Sequence, residues 1–573
     1  MNPRNGTDRS PITKQLQESL KRVPGLERAA RAVRGSDEPP LWKDLVRADR
    51  RYWKSARRRA QRGSRVLIAS SMGGYPLGTL LESTLAVALT LRGAKVDVLL
   101  CDGLLPACQL TEIQKVSPLD LADTDSQPRC ATCHPAGQSV FGPLGLPIHW
   151  FGKLLDRGQM EIAERIASEV PLDQISDYTM DGLAVGEHAM AGALRYFARG
   201  DLESEPHALK IAHRYLKSAI LTVQAVTNLL ESEDYDLAVF NHGIYVPQGL
   251  ITEVCRQQHV KVVTWNPAYR KNSFILSHND SYHHTMISEP TDSWADMHWD
   301  GDSERNIMDY LNTRRRGTED WIWFHDQPQE DLSNIEQETG LDFSRPVVGM
   351  LTNVMWDAQI HYESNAFSSM LEWVLRSIEY FAGRPEIQLA IRVHPAEVRG
   401  SVPSRQPLVE EIERAFPSLP ANVRLIPPES QVSTYTLVEN CDAVTIYNTK
   451  TGVEAACMGV PVVEAGEAWI RGKGFSRDAY SADEYFAILD ELPFNSRLEG
   501  EELERARRYA YHFFFRRMIP LPFITSEEGR KYSLELNNLS DLEPGGFAGL
   551  DVMCEGILNS NPFNYSAAQT VLE

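Results

Sequence analysis

The stretch RVLIASSMGGYPLGTLLESTLAVALTLRGAKVDVLLCDG, Arg65 to Gly103, decides the fold class. It opens on a short apolar run rich in β-branched residues and breaks at a loop containing Gly73 and Gly74. Apolar positions then recur at helical spacing, and a second apolar run begins at Lys95. A strand, a loop, a helix and a second strand in that order make a β-α-β opening, the unit of a parallel sheet covered by helices. The scheme returns in YDLAVFNHGIYVPQGLITEVCRQQHVKVVTWNPAY: a strand over 237–240, a helix from about Pro247 and a strand over 261–265. It restarts at GLDFSRPVVGMLTNVMWD with a strand over 347–351, continues through a helix over 366–381 into IQLAIRVHP, and makes a last pass in DAVTIYNTKTGVEAACMGVPVVEAG.

A chain of 573 residues is too long for one hydrophobic core, which rarely exceeds about 300 residues. The expected division is a basic arm over 1–64, an α/β domain over 65–335, a second over 336–490 and a helical tail over 491–573. The composition, 42% hydrophobic and 24% charged, is ordinary for a soluble protein, and no apolar run reaches the roughly 18 residues of a membrane span. The N-terminus lacks the apolar segment of a secretory signal, so a cytoplasmic location is expected. Residues 1–65 carry 18 Lys/Arg against seven Asp/Glu, a net +11, which leaves −31 for the rest of a chain whose total is −20. An acidic body of that size argues against nucleic acid as a partner. The basic arm reads as a solvated helix or disordered tail, or as a contact to an anionic membrane surface. The stretch ELERARRYAYHFFFRRMIPLPF, 502–523, reads as a helix packing back on the domains, or as a membrane-surface or glycan contact.

In an open parallel sheet ligands sit at the carboxyl ends of the strands, so the residues that follow each strand are the site candidates. His394, Pro395 and Glu397 follow QLAIRV; Asn448, Thr449, Lys450, Thr451 and Gly452 follow AVTIY and run into a helix containing Glu454. Small hydroxyl residues ahead of a helix N-terminus outline a phosphate cradle, and a histidine on the neighbouring strand can donate to a phosphate or protonate a leaving phosphate oxygen. In the first domain the loop holding Gly73 and Gly74 permits close approach of substrate but lacks the dinucleotide spacing. His242, after the strand at 237–240, is a candidate base or substrate ligand, with a structural loop histidine as the alternative. Asp181 and Glu187 in DGLAVGEHAM are candidate catalytic acids. Arg270 suits a sugar carboxylate or phosphate, or is a surface arginine, and Asp357 lies just past the first strand of the second domain. The adjacent His283 and His284, read on a strand, point to opposite faces and do not share a metal.

LAIRVHPAE, followed some fifty residues on by VTIYNTKTGVEAACMGVPVVEAGEAWIRGKGF, resembles bacterial capsule polysaccharide biosynthesis proteins, a group that includes the capsule β-Kdo transferases. LTNVMWDAQIHYESNAF and FNHGIYVPQG look like the same group, so the resemblance spans roughly 235–480. It implies the GT-B architecture, two Rossmann-like domains facing a central cleft, with the nucleotide sugar held by the second. The His-Pro and hydroxyl motifs also resemble those of CMP-sugar-using sialyltransferases, which implies nucleotide phosphate bound by His394, Asn448, Thr449 and Thr451, and ribose or base by Glu454. Asn448-Thr449 stand where relatives commonly carry a serine-threonine pair. The function implied is a glycosyltransferase moving a sugar, Kdo-like, from a CMP-sugar to a glycan or glycolipid acceptor at the inner membrane face or in a polysaccharide assembly complex. A nucleotide-sugar epimerase, a polyol-phosphate transferase or a non-catalytic scaffold are the rivals. No cofactor is implied for catalysis.

One motif stands apart. Cys130-Ala131-Thr132-Cys133-His134 spells a haem-attachment site, but an α/β context without an export signal argues against haem. With Cys101 and Cys108 it gives four thiols in an insertion over about 101–135, enough for a structural zinc site or an iron–sulfur cluster, or else four unliganded thiols.

Overall fold

The computed structural model describes residues 42–566 except 125–127, 316–319, 321–327, 358–361, 401, 495 and 528–530. Two sheets organise it. The first contains β1 (Arg65–Ser71), β2 (Lys95–Leu100), β3 (Ile148–Trp150), β4 (Leu237–Asn241), β5 (Lys261–Pro267) and β6 (Ser273–His278). The second contains β7 (Val347–Leu351), β8 (Gln388–Arg392), β9 (Val423–Ile426), β10 (Ala443–Ile446), β11 (Val462–Glu464) and β12 (Arg477–Asp478). The spatial order β3-β2-β1-β4-β5 in one sheet is matched by β9-β8-β7-β10-β11-β12 in the other. In both, the first and fourth strands of the unit lie side by side with parallel register, Val66 against Leu237 and Val348 against Ala443. That is the doubly wound order, and the connections diverge between those two strands, leaving a crevice at their carboxyl ends.

The helix Pro76–Leu91 is buried along almost its whole length. Its sequence is apolar all round because it is covered twice, by β1 and β2 beneath and by the C-terminal helix Ala548–Asn559 and a hairpin above.

The cores do not divide at the ends of the expected segments. After β6 the chain leaves the first sheet: Met286, Trp294, Ile307, Tyr310 and Leu311 pack in one core with Leu351, Val444 and Ala506 of the second unit. Crossing thus occurs near residue 280 rather than 335. The tail belongs to both units. Helix Gly500–Tyr511 and the turn after it bury Tyr509, Phe513 and Phe514 in the second core, then β13 (Ile519–Pro520) pairs antiparallel with β6. Leu550, Met553 and Ile557 finish the first core. The aromatic, arginine-rich stretch therefore packs back on the domains.

From residue 42 the basic arm is docked as well. Helix Arg50–Arg59 buries Trp53 and Ala56, and the Trp53 indole donates to the Leu144 carbonyl (2.8 Å). Arg50, Arg51, Lys54, Arg58 and Arg59 remain on its exposed face. Residues 1–41 lie outside the described residues. Among those described, no helix is long and apolar enough to cross a membrane.

Candidate functional site

The second sheet's crevice gathers the polar residues that the sequence places after β7, β8 and β10. Thr352, just past β7, accepts the His394 backbone N–H on Oγ1 (3.1 Å). The Ala396 N–H donates to His394 Nδ1 (3.0 Å), so the ring proton sits on Nε2. Burial, and then the positive charges of Lys450 and Arg392, push the ring's pKa down to about 3. His394 is a neutral N–H donor rather than a cation. Arg392, fully buried, spends its guanidinium on the carbonyls of Pro427 (2.6 Å) and Ser430 (3.1 Å) and holds the crevice wall.

Across from His394, Asn448 has both side-chain amide atoms buried without a hydrogen-bond partner among the described residues. Such groups are costly unless something completes them. Thr449 and Thr451 face each other, Oγ1 to Oγ1, at 3.3 Å. The expected helix N-terminus is weaker than the sequence implies: the helix is only Thr451–Cys457, and the Thr451 N–H already points at Thr449 Oγ1 (3.4 Å). The cradle is therefore a set of side chains.

Glu454 is buried at the wall of a cavity that Tyr435, Glu439 and Met458 also line. Its carboxylate, 2% exposed, accepts from Arg314 Nε (2.9 Å) and Lys450 Nζ (3.1 Å). Burial alone would raise its pKa, but Arg314 and Lys450 hold it at about 2. Arg314 also pairs with Asp320, and Lys450 lies 4.8 Å from the centre of the Tyr269 ring. This buried network surrounds Glu454, the residue that the resemblance assigns to ribose or base. Sequence reading missed Arg314 because its partner lies 140 residues away and nothing in NTRRRGTED marks which arginine turns inward. Glu397 is likewise inward. Its carboxylate takes the Leu408 N–H (3.2 Å), and burial raises its pKa to about 7.

In the first sheet the equivalent crevice is filled by the chain itself. A Cβ on Gly73 would lie 2.3 Å from the Cys133 carbonyl and 2.4 Å from the Gly137 nitrogen; one on Gly74 would lie 3.3 Å from Cys133 Sγ. These glycines admit helix Cys130–Phe141, not substrate. Burial raises Cys101 to about 11 and Cys108 to about 12, so neither thiol is a nucleophile as it stands.

The two carboxyl edges meet. The Tyr245 hydroxyl, after β4, donates to Asp357 Oδ1 (2.9 Å), after β7. His242, in the left-handed region at φ 66°, stacks near Tyr245 and His283, and His283 near Trp469. His283 and His284 lie on helix Tyr282–Ser288, not on a strand, and both rings face Tyr362. The structure thus brings His242 and Asp357 into the cleft between the sheets. It does not bring Asp181 there. Asp181 is exposed in a left-handed turn, and its carbonyl accepts from Gln257 at the far end of helix Gln248–Gln257 (2.7 Å). Glu187 sits in the first turn of helix Val185–Phe197, on that same segment. Arg270 lies over the Phe515 ring (4.4 Å) and donates to the Phe514 carbonyl (3.3 Å), packed on the connector.

Two doubly wound sheets facing one cleft across their carboxyl edges define a GT-B-like α/β protein. Residues 327–489, the second unit and its crevice, match the family model described as capsule polysaccharide biosynthesis protein, the family that the sequence motifs resemble. Among solved structures the chain is similar to the KpsC β-Kdo 2,4 transferase of Thermosulfurimonas dismutans, at 12% identity over 48% of this chain and 80% of that one, TM-score 0.33. It is also similar to the UDP-GlcNAc 2-epimerase of Methanocaldococcus jannaschii, at 12% identity over 77% and 98%, TM-score 0.28. The glycosyltransferase CalG4 follows at 14% identity over 78% and 94%, TM-score 0.24. TM-scores of this size leave the fold to rest on the strand orders themselves. No curated protein matches the chain.

Proposed function

We propose that the chain is a glycosyltransferase of capsule or surface polysaccharide assembly that takes its sugar from a nucleotide donor. The observation that carries this reading is the Asn448 amide after β10, buried without a hydrogen-bond partner among the described residues, on the same sheet edge as a histidine after β8 fixed as a neutral Nε2–H donor, where doubly wound sheets take their ligands. A nucleotide phosphate there would receive hydrogen bonds from His394, Asn448 and the two threonine hydroxyls, with Lys450 supplying positive charge. Donors placed where charge develops on the departing phosphate lower the barrier. Across the cleft, His242 and Asp357 are the groups placed to accept a proton from the acceptor hydroxyl.

The family matched over 327–489 favours a capsule glycan or glycolipid as acceptor, and the motif likeness favours a CMP-sugar, Kdo-like, as donor. The exposed arginines of helix Arg50–Arg59 suit peripheral attachment at the inner, anionic face of the cytoplasmic membrane.

A thermal-shift screen with CMP, UDP, GDP and CDP tests the donor side; CMP is expected to stabilise most, and no response to any of them overturns the reading. His394→Ala is expected to lower turnover about 100-fold or more while the fold persists, since a lost donor of this kind costs ~10²–10³ in rate. Product analysis with CMP- and UDP-sugars separates transfer from epimerisation.

A further inference from the structure

Four of the eight cysteines, separated by up to 32 positions in sequence, line one small cavity at the carboxyl end of β1 and β2. Cys101 follows β2 directly, Cys108 sits in the loop beyond, and Cys130 and Cys133 share one face of the first turn of helix Cys130–Phe141. Ser71, Met72, Gly103, Leu105, His134 and Pro247 complete the walls, and the space between is about 20 Å³, roughly the room of a single water molecule.

The backbone around this cavity is shaped to the sulfurs. The Gly74 N–H donates to Cys133 Sγ (3.0 Å) and the Gly103 N–H to Cys101 Sγ (3.4 Å). Gly103 takes φ 94°, a conformation that favours glycine, with its Cβ position 3.4 Å from the Cys130 Cβ. Arg129 ties the two sides together through the carbonyls of Leu110 (3.1 Å) and Gly74 (3.5 Å). N–H groups aimed at sulfur are the partners that coordinated thiolates need. Among the described residues no three ligand side chains already stand in metal-holding geometry. The thiols line the walls, and rotation about Cα–Cβ, the one side-chain torsion a cysteine needs to redirect its sulfur, is what closing on a metal requires. None of the eight is in a disulfide.

We propose that Cys101, Cys108, Cys130 and Cys133 hold a thiolate-bound zinc ion that pins the 101–133 insertion onto the Gly73–Gly74 loop. Binding releases the four thiol protons to solvent as the metal–sulfur bonds form, with no change of oxidation state at sulfur. The centre is structural: it occupies the first sheet's crevice and leaves the second to the donor.

The test is metal and acid-labile sulfide analysis of the full chain purified without oxygen, with its visible absorption spectrum. About one zinc per chain supports the centre, whereas about four irons with acid-labile sulfide and a charge-transfer band would mark a cluster too large for the cavity and overturn the assignment. Chains free of transition metal, with all four thiols open to alkylation, overturn it, as does a disulfide among them. Cys130→Ser/Cys133→Ser is expected to lose the metal, whereas Cys255→Ser, at a buried cysteine elsewhere, keeps it; equal metal in both variants overturns the assignment. Should the double variant fail to fold, titrating the wild-type chain with a mercurial gives the same answer, since metal release in step with four thiols supports the centre and release without thiol consumption overturns it.

Discussion

The two crevices occupy equivalent places in sheets of equivalent strand order, and the chain treats them oppositely. At the β1/β4 crevice the loop carries glycines, and helix Cys130–Phe141 lies where a ligand would, within van der Waals reach of Gly73. At the β7/β10 crevice the loops carry Thr352, Asn448, Thr449 and Thr451, and the helix that follows is seven residues long, with the Asn448 amide lacking a partner among the described residues. Strand order locates a binding crevice; the residues after the strands decide whether protein or ligand fills it. Two glycines made the first crevice look like the substrate loop, when they are the condition for closing it.

The largest effect expected from attacking this contrast is at the buried network behind the open crevice. Glu454→Ala leaves Lys450 buried without its carboxylate and Arg314 with Asp320 alone, a loss expected to cost about 3–5 kcal/mol in denaturant unfolding. A variant as stable as the wild type would show that the network does not support the crevice wall. Next comes the filled crevice: Gly73→Ala drives a Cβ into backbone atoms of Cys133 and Gly137 and is expected to cost about 1–3 kcal/mol with nucleotide affinity unchanged. Lost affinity with unaltered stability would instead return Gly73 to the substrate side and break the contrast.

A smaller effect concerns pH. His394 titrates near 3 in the folded chain, below its ordinary 6.5, so the unfolded chain binds the extra proton between those values. Stability contributed by the neutral ring is present above about 6.5 and is lost as pH falls toward 3. His394→Gln is therefore expected to flatten the acid-side slope of stability between pH 6.5 and the onset of acid unfolding, measured by urea midpoint; an unchanged slope would mean the ring is as solvated as a surface histidine. The smallest effect is at Asp181, where Asp181→Asn, in an exposed left-handed turn, is expected to change turnover less than twofold and stability within about 0.5 kcal/mol. A large fall in turnover would place that turn in the chemistry after all.

Much of this was legible in the sequence. Local periodicity located β1, β2, β4, β5, β7, β8, β10 and β11 but not β3, β6, β9 or β12, and the rule that ligands meet strand ends pointed to His394 after β8 and to Asn448, Thr449 and Thr451 after β10, on the carboxyl edge of one sheet. Strand ends are local features, and the chain direction alone puts them on one edge. The antiparallel β6 and the return of Ile519–Pro520 beside it were not legible, because β13 is two residues long and its partner lies some 245 positions earlier. The intramolecular partners of Glu454, Glu397 and Arg270 were not legible for a related reason. A charged residue near a strand end is as ready to meet a distant chain segment as a ligand, and Arg314, the Leu408 N–H and Phe515 are invisible from any local window.

The sequence by itself determined the α/β class, two successive α/β units and the four thiols of the insertion, since each follows from spacing along the chain. Only the tertiary structure decided which crevice is closed, that His394 is a neutral donor, and that the four thiols share one cavity. Those outcomes depend on burial and on contacts between segments remote in sequence, and neither is encoded in any single stretch.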